Sequence, residues 1–207
     1  MLIGVDFDNT IVCYDEVFYQ ASVEKGLIPE DVSINKGSVR DYLRAWGKEE
    51  AWTELQGVVY GVYIQYAPPF PGVTEFFKRC RKHDIRIYII SHKTRYPFLG
   101  KTYDLHDAAH RWLQQNGFYD SEITGLNREQ VYFELTKKEK IDRIAAVGCN
   151  YFIDDLPEFL KEPEFPEGVA RILFDPNNHY PVNNNFLRTT SWKEIEKIIL
   201  KEISIFT

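Results

Sequence analysis

The 207-residue chain is long enough for one well-buried domain with an insertion, and its composition, 44% hydrophobic and 27% charged, is that of a globular protein. Its net charge of -6 argues against a broad nucleic-acid-binding surface, which needs a basic patch, although a local basic cluster is enough for a small phosphorylated substrate. No apolar run approaches the length of a membrane span, and Met1 leads directly into an apolar strand. We therefore expect no nucleic-acid partner, no membrane anchor and no signal peptide.

The cysteines indicate a reduced protein. Cys13, Cys80 and Cys149 are odd in number, lie far apart in the sequence and show no metal-ligand spacing. This pattern favours a cytoplasmic location.

The first predicted element is a buried strand that ends in a polar cluster. Leu2 to Val5 are apolar apart from one glycine, and the sequence DFDNT follows, with Asp6 and Asp8 separated by one residue. In open α/β sheets, ligands bind at the carboxyl ends of strands. Two carboxylates so close together repel each other unless a cation lies between them or one stays protonated, and their oxygens suit Mg²⁺. The alternative is a simple turn, because Asp, Asn and Thr are common turn residues.

The next segment, residues 14–68, is predicted to be helical throughout. Apolar residues recur at helical spacing in three runs, and no convincing strand interrupts them. The predicted helices are Glu16 to Lys25, a second one that Ser38 caps, and Glu49 to Tyr66. The sequence PPFPG at 68–72 then marks a return to a different pattern.

From residue 73 onward, strands and helices alternate. The predicted strands span 85–90, 130–135, 151–153 and 169–174, and the predicted helices span 73–83, 103–116, 137–147 and 191–202. Thr136 and Glu139 form a capping-box pattern at the start of the third of these helices. Alternation of this kind predicts a three-layer, Rossmann-like α/β fold with a mostly parallel sheet covered by helices on both faces, plus the inserted helical segment.

Four groups of polar residues are predicted to lie at one edge of the sheet. Three of them come at or just after the end of a predicted strand, and the fourth lies at the start of the helix that follows a strand. They are Asp6 with Asp8, Ser91, a lysine among Lys137, Lys138 and Lys140, and Asp154 with Asp155. In this order and context the sequences DFDNT, YIIS, the lysine cluster and FIDD resemble the four motifs of the haloacid dehalogenase superfamily, the aspartate-nucleophile phosphohydrolases. Taken alone, Ser91 is also compatible with a strand terminator and the aspartate pair with a turn.

The resemblance implies a role for each group. Asp6 would attack phosphorus and form an aspartyl-phosphate, and Asp8 would act as general acid and then general base. Mg²⁺ would be held by Asp6, the backbone carbonyl of Asp8 and the carboxylates of Asp154 and Asp155, with the choice between the last two left open. Ser91 would donate to a phosphoryl oxygen.

The choice of lysine also stays open. The lysine of the motif would offset negative charge on the phosphate and on Asp6. Lys137 is the first choice because it lies four residues before Ile141 and so shares a face with the buried side of its helix; Lys140 is second and Lys138 third.

The resemblance also implies a domain organisation. Residues 14–68 would form a small helical cap, and residues 1–13 and 69–207 would form the core. The cap is rich in aromatic residues, which we expect to form mainly its own core.

The predicted activity is that of a Mg²⁺-dependent phosphatase for a small phosphomonoester, a nucleotide or sugar phosphate. The alternatives are a phosphotransferase or phosphomutase on the same scaffold and a catalytically silent binding protein. Substrate identity and oligomeric state are not predicted.

Overall fold

A computed structural model describes residues 1–181 and 185–206 of the chain. Its centre is a six-stranded sheet in the order β3-β2-β1-β4-β5-β6, in which every neighbouring pair is parallel. The strands are β1 (Leu2–Val5), β2 (Arg86–His92), β3 (Val131–Glu134), β4 (Tyr151–Asp154), β5 (Ala170–Phe174) and β6 (Leu187–Thr189). This is the strand order of a doubly wound Rossmann-like sheet, and it confirms the predicted fold class.

Eight α-helices and two short 3-10 helices occupy the described residues. The α-helices are α1 (Asp15–Glu24), α2 (Lys36–Ala45), α3 (Glu49–Gly61), α4 (Val73–Lys82), α5 (Leu105–Gln115), α6 (Lys137–Val147), α7 (Pro157–Leu160) and α8 (Trp192–Phe206). The 3-10 helices are Tyr63–Tyr66 and Arg128–Gln130. None of the helices in this part of the chain has both the length and the apolar composition needed to cross a membrane.

Helices cover both faces of the sheet. On one face, α6 and α7 contribute Ile141, Ile144 and Phe159 to an apolar cluster with Phe152 of β4. On the other face, Trp192 of α8 packs its ring against Phe76 of α4 and Phe174 of β5. Because both faces are covered, β1 and β4 are buried along their whole length, which explains why they read as continuous apolar runs.

Gly4 lets the central strands pack closely. A Cβ at this position would lie 2.5 Å from the ring of Phe152 and 2.9 Å from the Sγ of Cys149, so any larger residue would collide with the core. Glycine in β1 is therefore a packing requirement of the sheet.

The chain divides into two compact units. One comprises residues 1–11, 69–92 and the chain from Gly117 onward, and it contains the sheet. The other comprises Val12–Pro68 and Lys93–Asn116. Residues 93–116, which the sequence analysis grouped with the core, therefore belong to the compact unit that contains the helices of residues 14–68.

Two glycines of α3 explain why residues 93–116 join these helices. A Cβ on Gly57 would lie 2.7 Å from the Cβ of Pro97, and one on Gly61 would lie 2.6 Å from the Cβ of Tyr103. The glycines are four residues apart, so they lie on one face of the helix and let the later segment approach its backbone. Trp112 of α5 adds a hydrogen bond from its indole Nε1 to the carbonyl of Ala67, at 2.7 Å.

The structure confirms one predicted helix cap, differs from another and contains a strand that was not predicted. The capping box of Thr136 and Glu139 is present at the start of α6, as predicted. The predicted cap Ser38 is wrong, because α2 begins earlier and its N-cap is Asn35, whose side chain accepts a hydrogen bond from the Ser38 amide. The strand β6 was missed because it has only three residues and no apolar run of its own.

A buried hydroxyl yields a stability prediction. Thr10 is fully buried, and its Oγ1 has no hydrogen-bond partner among the described residues. Thr10→Val removes this unpaired polar group, so we expect the free energy of unfolding to rise by about 1 kcal/mol. Urea denaturation measures the change. The matched control is Thr189→Val, which should be destabilising because Thr189 Oγ1 donates to the carbonyl of Leu173; equal effects of both variants would contradict the prediction.

The cysteines yield a reactivity prediction. Cys80 and Cys149 are buried, and burial raises the pKa of each thiol to about 12. Burial also raises the pKa of the Cys13 thiol, but Cys13 is only partly buried and therefore more accessible to reagent. The thiolate is the reactive form, so we expect iodoacetamide at pH 8 to label Cys13 first and the other two only after unfolding in urea. Mass spectrometry of the labelled peptides checks this order. Labelling of Cys80 or Cys149 in the folded protein at the rate of Cys13 would contradict it.

Candidate active site

The candidate site lies where the strand order reverses. The chain runs from β1 to β2 on one side, and β4 pairs with β1 on the other side, with Val5 opposite Ile153. The amide of Asp6 donates to the carbonyl of Ile153 at 2.9 Å, so Asp6 and Asp154 follow side by side at the carboxyl ends of two central strands. Ligands of open α/β sheets bind at this topological switch point.

The Asp6 carboxylate is buried and receives two hydrogen bonds. Ser91, near the end of β2, donates from Oγ to Asp6 Oδ1 at 2.8 Å, and Lys140 of α6 donates from Nζ to the same oxygen at 2.7 Å. All three residues are at most 5% exposed. The hydrogen bonds that the described residues make to this carboxylate both end on Oδ1.

Lys140 joins Asp6 to Asp154. Its ammonium also donates to Asp154 Oδ2 at 2.6 Å, and the other oxygen of that carboxylate accepts from the amide of Leu156 at 2.9 Å. The ammonium lies 4.1 Å from the ring centroid of Phe159. The capping box at Thr136 fixes where α6 begins, so Lys140 falls at the end of the first helical turn, beside the buried residues Ile141 and Ile144.

The buried charges determine the protonation of the site. Burial by itself opposes the charge of Lys140, but Asp154 and Asp6 overcome it and hold the pKa of the ammonium above its usual range. Burial raises the pKa of Asp154 above its ordinary value, while Lys140 acts in the opposite direction. A protonated lysine that bridges two aspartates is therefore the favoured state of this cluster.

Three carboxylates are arranged to bind a cation. Oxygen atoms of Asp6, Asp154 and Asp155 all lie within 4.8 Å of one another. Three carboxylates and one ammonium leave a formal charge of −2 at this point of the sheet. A hard divalent cation takes oxygen ligands of this kind, so the donor set fits such an ion.

The structure does not bring all the candidate lysines to the site. Lys137 is the first residue of α6, its side chain is 51% exposed, and its Nζ lies 3.8 Å from Glu162. Lys138 is exposed and pairs with Asp142 on the surface. Only Lys140 of the three reaches the aspartates, because it lies on the side of α6 that faces the sheet.

Asp8 lies two residues after Asp6 and is partly buried. The turn that follows depends on Asn9, which adopts a φ of 58°. Asparagine tolerates this left-handed conformation better than most residues, which explains its place between the two aspartates and Thr10.

Phe159 lies beside the candidate site and was not among the residues predicted for it. It follows the aspartate pair within the short apolar stretch PEFL, and nothing in its spacing distinguished it from an ordinary core residue. The Phe159 ring contacts the Lys140 ammonium because α6 and α7 lie on the same face of the sheet.

Comparisons with known proteins agree with this fold. No protein-family model matches the chain. A Bacillus cereus protein provisionally named a nucleotidase is 26% identical over 142 residues, which is 69% of this chain and 66%, just under two thirds, of that protein. Solved structures of similar fold include a predicted phosphatase from Clostridium acetobutylicum, with a TM-score of 0.59 at 13% identity over 97% of this chain and 98% of that one.

A second solved structure has the same fold. It is a Bacillus subtilis protein provisionally named a haloacid dehalogenase hydrolase and bound to magnesium, with a TM-score of 0.51 at 11% identity over 96% of this chain and 97% of that one. Sequence identities this low support a shared fold and nothing about activity. The chain thus has the fold of the haloacid dehalogenase superfamily of hydrolases, the family that the order of its four motifs resembles.

Proposed function

We propose that this chain is a Mg²⁺-dependent phosphatase that hydrolyses a small phosphomonoester through an aspartyl-phosphate on Asp6. The observation that carries the proposal is the buried bridge of Lys140 between Asp6 and Asp154, with Ser91 on the same oxygen of Asp6. Phosphoryl transfer needs a positioned nucleophile and neutralisation of charge, and this cluster offers both.

Asp6 is the proposed nucleophile. Ser91 and Lys140 hold its Oδ1, and this fixes the orientation of the carboxylate. A carboxylate oxygen attacks phosphorus, the bond to the ester oxygen breaks, and the phosphoryl group is left on Asp6 as an acyl phosphate. Holding the nucleophile in one geometry removes much of the entropic barrier to this step.

Asp8 is the proposed general acid and base. In the first step it gives a proton to the leaving ester oxygen, which departs as an alcohol. In the second step it takes a proton from a water molecule that attacks phosphorus, and inorganic phosphate leaves Asp6. Both carboxyl groups return to their starting states, so the cycle balances.

Lys140 and Ser91 stabilise negative charge. The Lys140 ammonium lies 2.7 Å from Asp6, close enough to offset charge that develops on the phosphoryl oxygens next to it. The Ser91 hydroxyl is a neutral donor that can pass its hydrogen bond from Asp6 to a phosphoryl oxygen. Lys137 was the first choice for this role, and Lys140 replaces it because Lys140 is the lysine that contacts Asp6 and Asp154.

The carboxylates of Asp6, Asp154 and Asp155 would hold Mg²⁺, with the Asp8 carbonyl as a further predicted ligand. When bound, this ion supplies positive charge that stabilises the phosphoryl oxygens in the transition state. Water and substrate oxygens would complete the ligand set of such an ion.

The proposed substrates are nucleotides and sugar phosphates. The Bacillus cereus relative provisionally named a nucleotidase supports nucleoside monophosphates as the first class to test. A cytoplasmic location, the absence of a nucleic-acid partner, and the assignment of residues 14–68 to a substrate-selecting cap remain predictions.

Phosphate release from a panel of phosphomonoesters tests the proposal. We expect turnover with Mg²⁺, none with EDTA, and recovery when Mg²⁺ is added back in excess. A panel of nucleoside monophosphates, sugar phosphates and p-nitrophenyl phosphate separates general phosphatase chemistry from substrate preference. Folded protein that binds Mg²⁺ yet releases no phosphate from any member would contradict the proposal and favour a binding protein.

The same assay distinguishes hydrolysis from phosphotransfer. With an alcohol such as glycerol present, a hydrolase releases phosphate and alcohol from the substrate in nearly equal amounts. A phosphotransferase passes the phosphoryl group to the acceptor, so phosphate release falls below alcohol release.

A further inference from the structure

We propose that Phe159 is a positioning residue whose ring face holds the Lys140 ammonium between Asp6 and Asp154. The inference rests on the proposed function, because it concerns the lysine that acts there. Among the core aromatics of the α6 and α7 face, Phe159 is the ring closest to this charge, at 4.1 Å from Nζ to its centroid, whereas Phe152 lies at 5.3 Å.

The contacts of the ammonium account for its orientation. An ammonium has three hydrogens, and the hydrogen bonds that Lys140 makes within the described residues go to Asp6 and Asp154. The side chain is 3% exposed, so bulk water does not solvate the remaining face of the charge. The ring of Phe159 is an electron-rich surface at cation–π distance.

The physical benefit is the replacement of lost hydration. Burying an ammonium is costly unless hydrogen bonds and opposite charge compensate for the water it loses. Asp6 and Asp154 supply the charge, and the ring supplies a weaker attraction from a third direction. The ring also excludes water from the ion pairs, which strengthens both of them.

Phe159 is itself held firmly in place. It lies in α7, which begins at Pro157, two residues after Asp155, and its amide donates to the carbonyl of Leu156 at 3.1 Å. The Leu156 amide in turn donates to Asp154 Oδ1, so the carboxylate that binds Lys140 also anchors the turn that carries the ring. The ring packs against Phe165, with 5.8 Å between the two centroids.

The first test compares Phe159→Leu with Phe186→Leu. Both variants replace a buried ring of the same cluster by an aliphatic group, so both lose similar packing. The ring of Phe186 lies at cation–π distance from Lys161 rather than Lys140. We expect Phe159→Leu to lower kcat about tenfold with little change in KM, and Phe186→Leu to leave kcat within about twofold.

The second test changes the electronics of the ring without changing its packing. Phenylalanines with one to four ring fluorines are incorporated at position 159, and the same series is placed at position 186. Fluorine withdraws electron density from the ring face, so cation–π attraction weakens stepwise while the shape stays nearly constant. We expect log kcat to fall steadily along the series at 159 and to stay flat at 186.

A readout without turnover separates this inference from the proposed activity. The ¹⁵N and ¹H resonances of the Lys140 ammonium, assigned with Lys140→Met, should be displaced by the ring current of Phe159 and move toward ordinary lysine values in Phe159→Leu. A fluorine series at 159 that leaves kcat unchanged, or ammonium resonances that do not respond to Phe159→Leu, would overturn the proposal. If the wild type showed no phosphatase activity while the resonances responded, the positioning role would stand and the proposed function would fail.

Discussion

Lys140→Met is expected to reduce kcat at least about a thousandfold and to destabilise the folded protein. We expect the activity to fall because a positioned cation beside the proposed nucleophile is lost. The stability falls because the ammonium now bridges two buried carboxylates at 2.7 and 2.6 Å, and its removal leaves Asp6 and Asp154 facing each other without compensation. Removing one partner of a buried ion pair costs about 3–5 kcal/mol.

Thermal unfolding and steady-state kinetics measure the two effects of Lys140→Met. For a chain of this size the expected cost corresponds to a decrease in Tm of roughly 10 °C. Addition of Mg²⁺ should recover part of that decrease, because a cation bound by the carboxylates offsets their repulsion.

Lys137→Met is the matched control. It removes a lysine three residues away on the same helix, but its side chain is half exposed and only loosely paired with Glu162. Activity and Tm should therefore stay near those of the wild type. If Lys137→Met lost activity while Lys140→Met kept it, the assignment of the active-site lysine would be wrong.

Asp6→Asn is expected to abolish turnover while the protein stays folded. The amide cannot attack phosphorus, so kcat should fall by at least about 10⁴-fold. Its Oδ1 can still accept the hydrogen bonds of Ser91 and Lys140, so we expect the free energy of unfolding to change by no more than about 1 kcal/mol.

Trapping of the phosphorylated protein tests the covalent step. Rapid acid quenching of the wild type with a ³²P-labelled substrate should leave label on the peptide that contains Asp6, and hydroxylamine should remove it because it cleaves acyl phosphates. Asp6→Asn should carry no label. Label on another residue, or substantial turnover by the variant, would contradict the proposed nucleophile.

These two variants separate two properties of one cluster. In the proposed mechanism Asp6 contributes the reacting atom and Lys140 contributes the compensating charge, so the loss of Asp6 should be chemical and the loss of Lys140 both chemical and structural. A binding protein that kept the fold without the chemistry would show the stability effect of Lys140→Met and no turnover to lose.

Much of the candidate site could be predicted because most of its residues lie at the ends of strands that short sequence patterns identify. Asp6, Ser91 and Asp154 each lie at the end of an apolar strand, and parallel strands bring such ends to one edge of a sheet. The start of α6 was also local information, because a capping box satisfies backbone donors within four residues. The sequence by itself therefore determined the fold class, the edge that holds the site and the types of residue in it.

The tertiary structure decided what local patterns leave ambiguous. Helical periodicity allowed both Lys137 and Lys140 to border the buried face of α6, and only the position of that helix on the sheet shows that Lys140 reaches the aspartates. The place of residues 93–116 depends on a surface that Gly57 and Gly61 open on a helix more than thirty residues earlier. Phe159 meets Lys140 only because α6 and α7 share one face of the sheet. Each of these outcomes depends on contacts between segments distant in sequence, and hydrophobic periodicity within one segment carries no information about its partner.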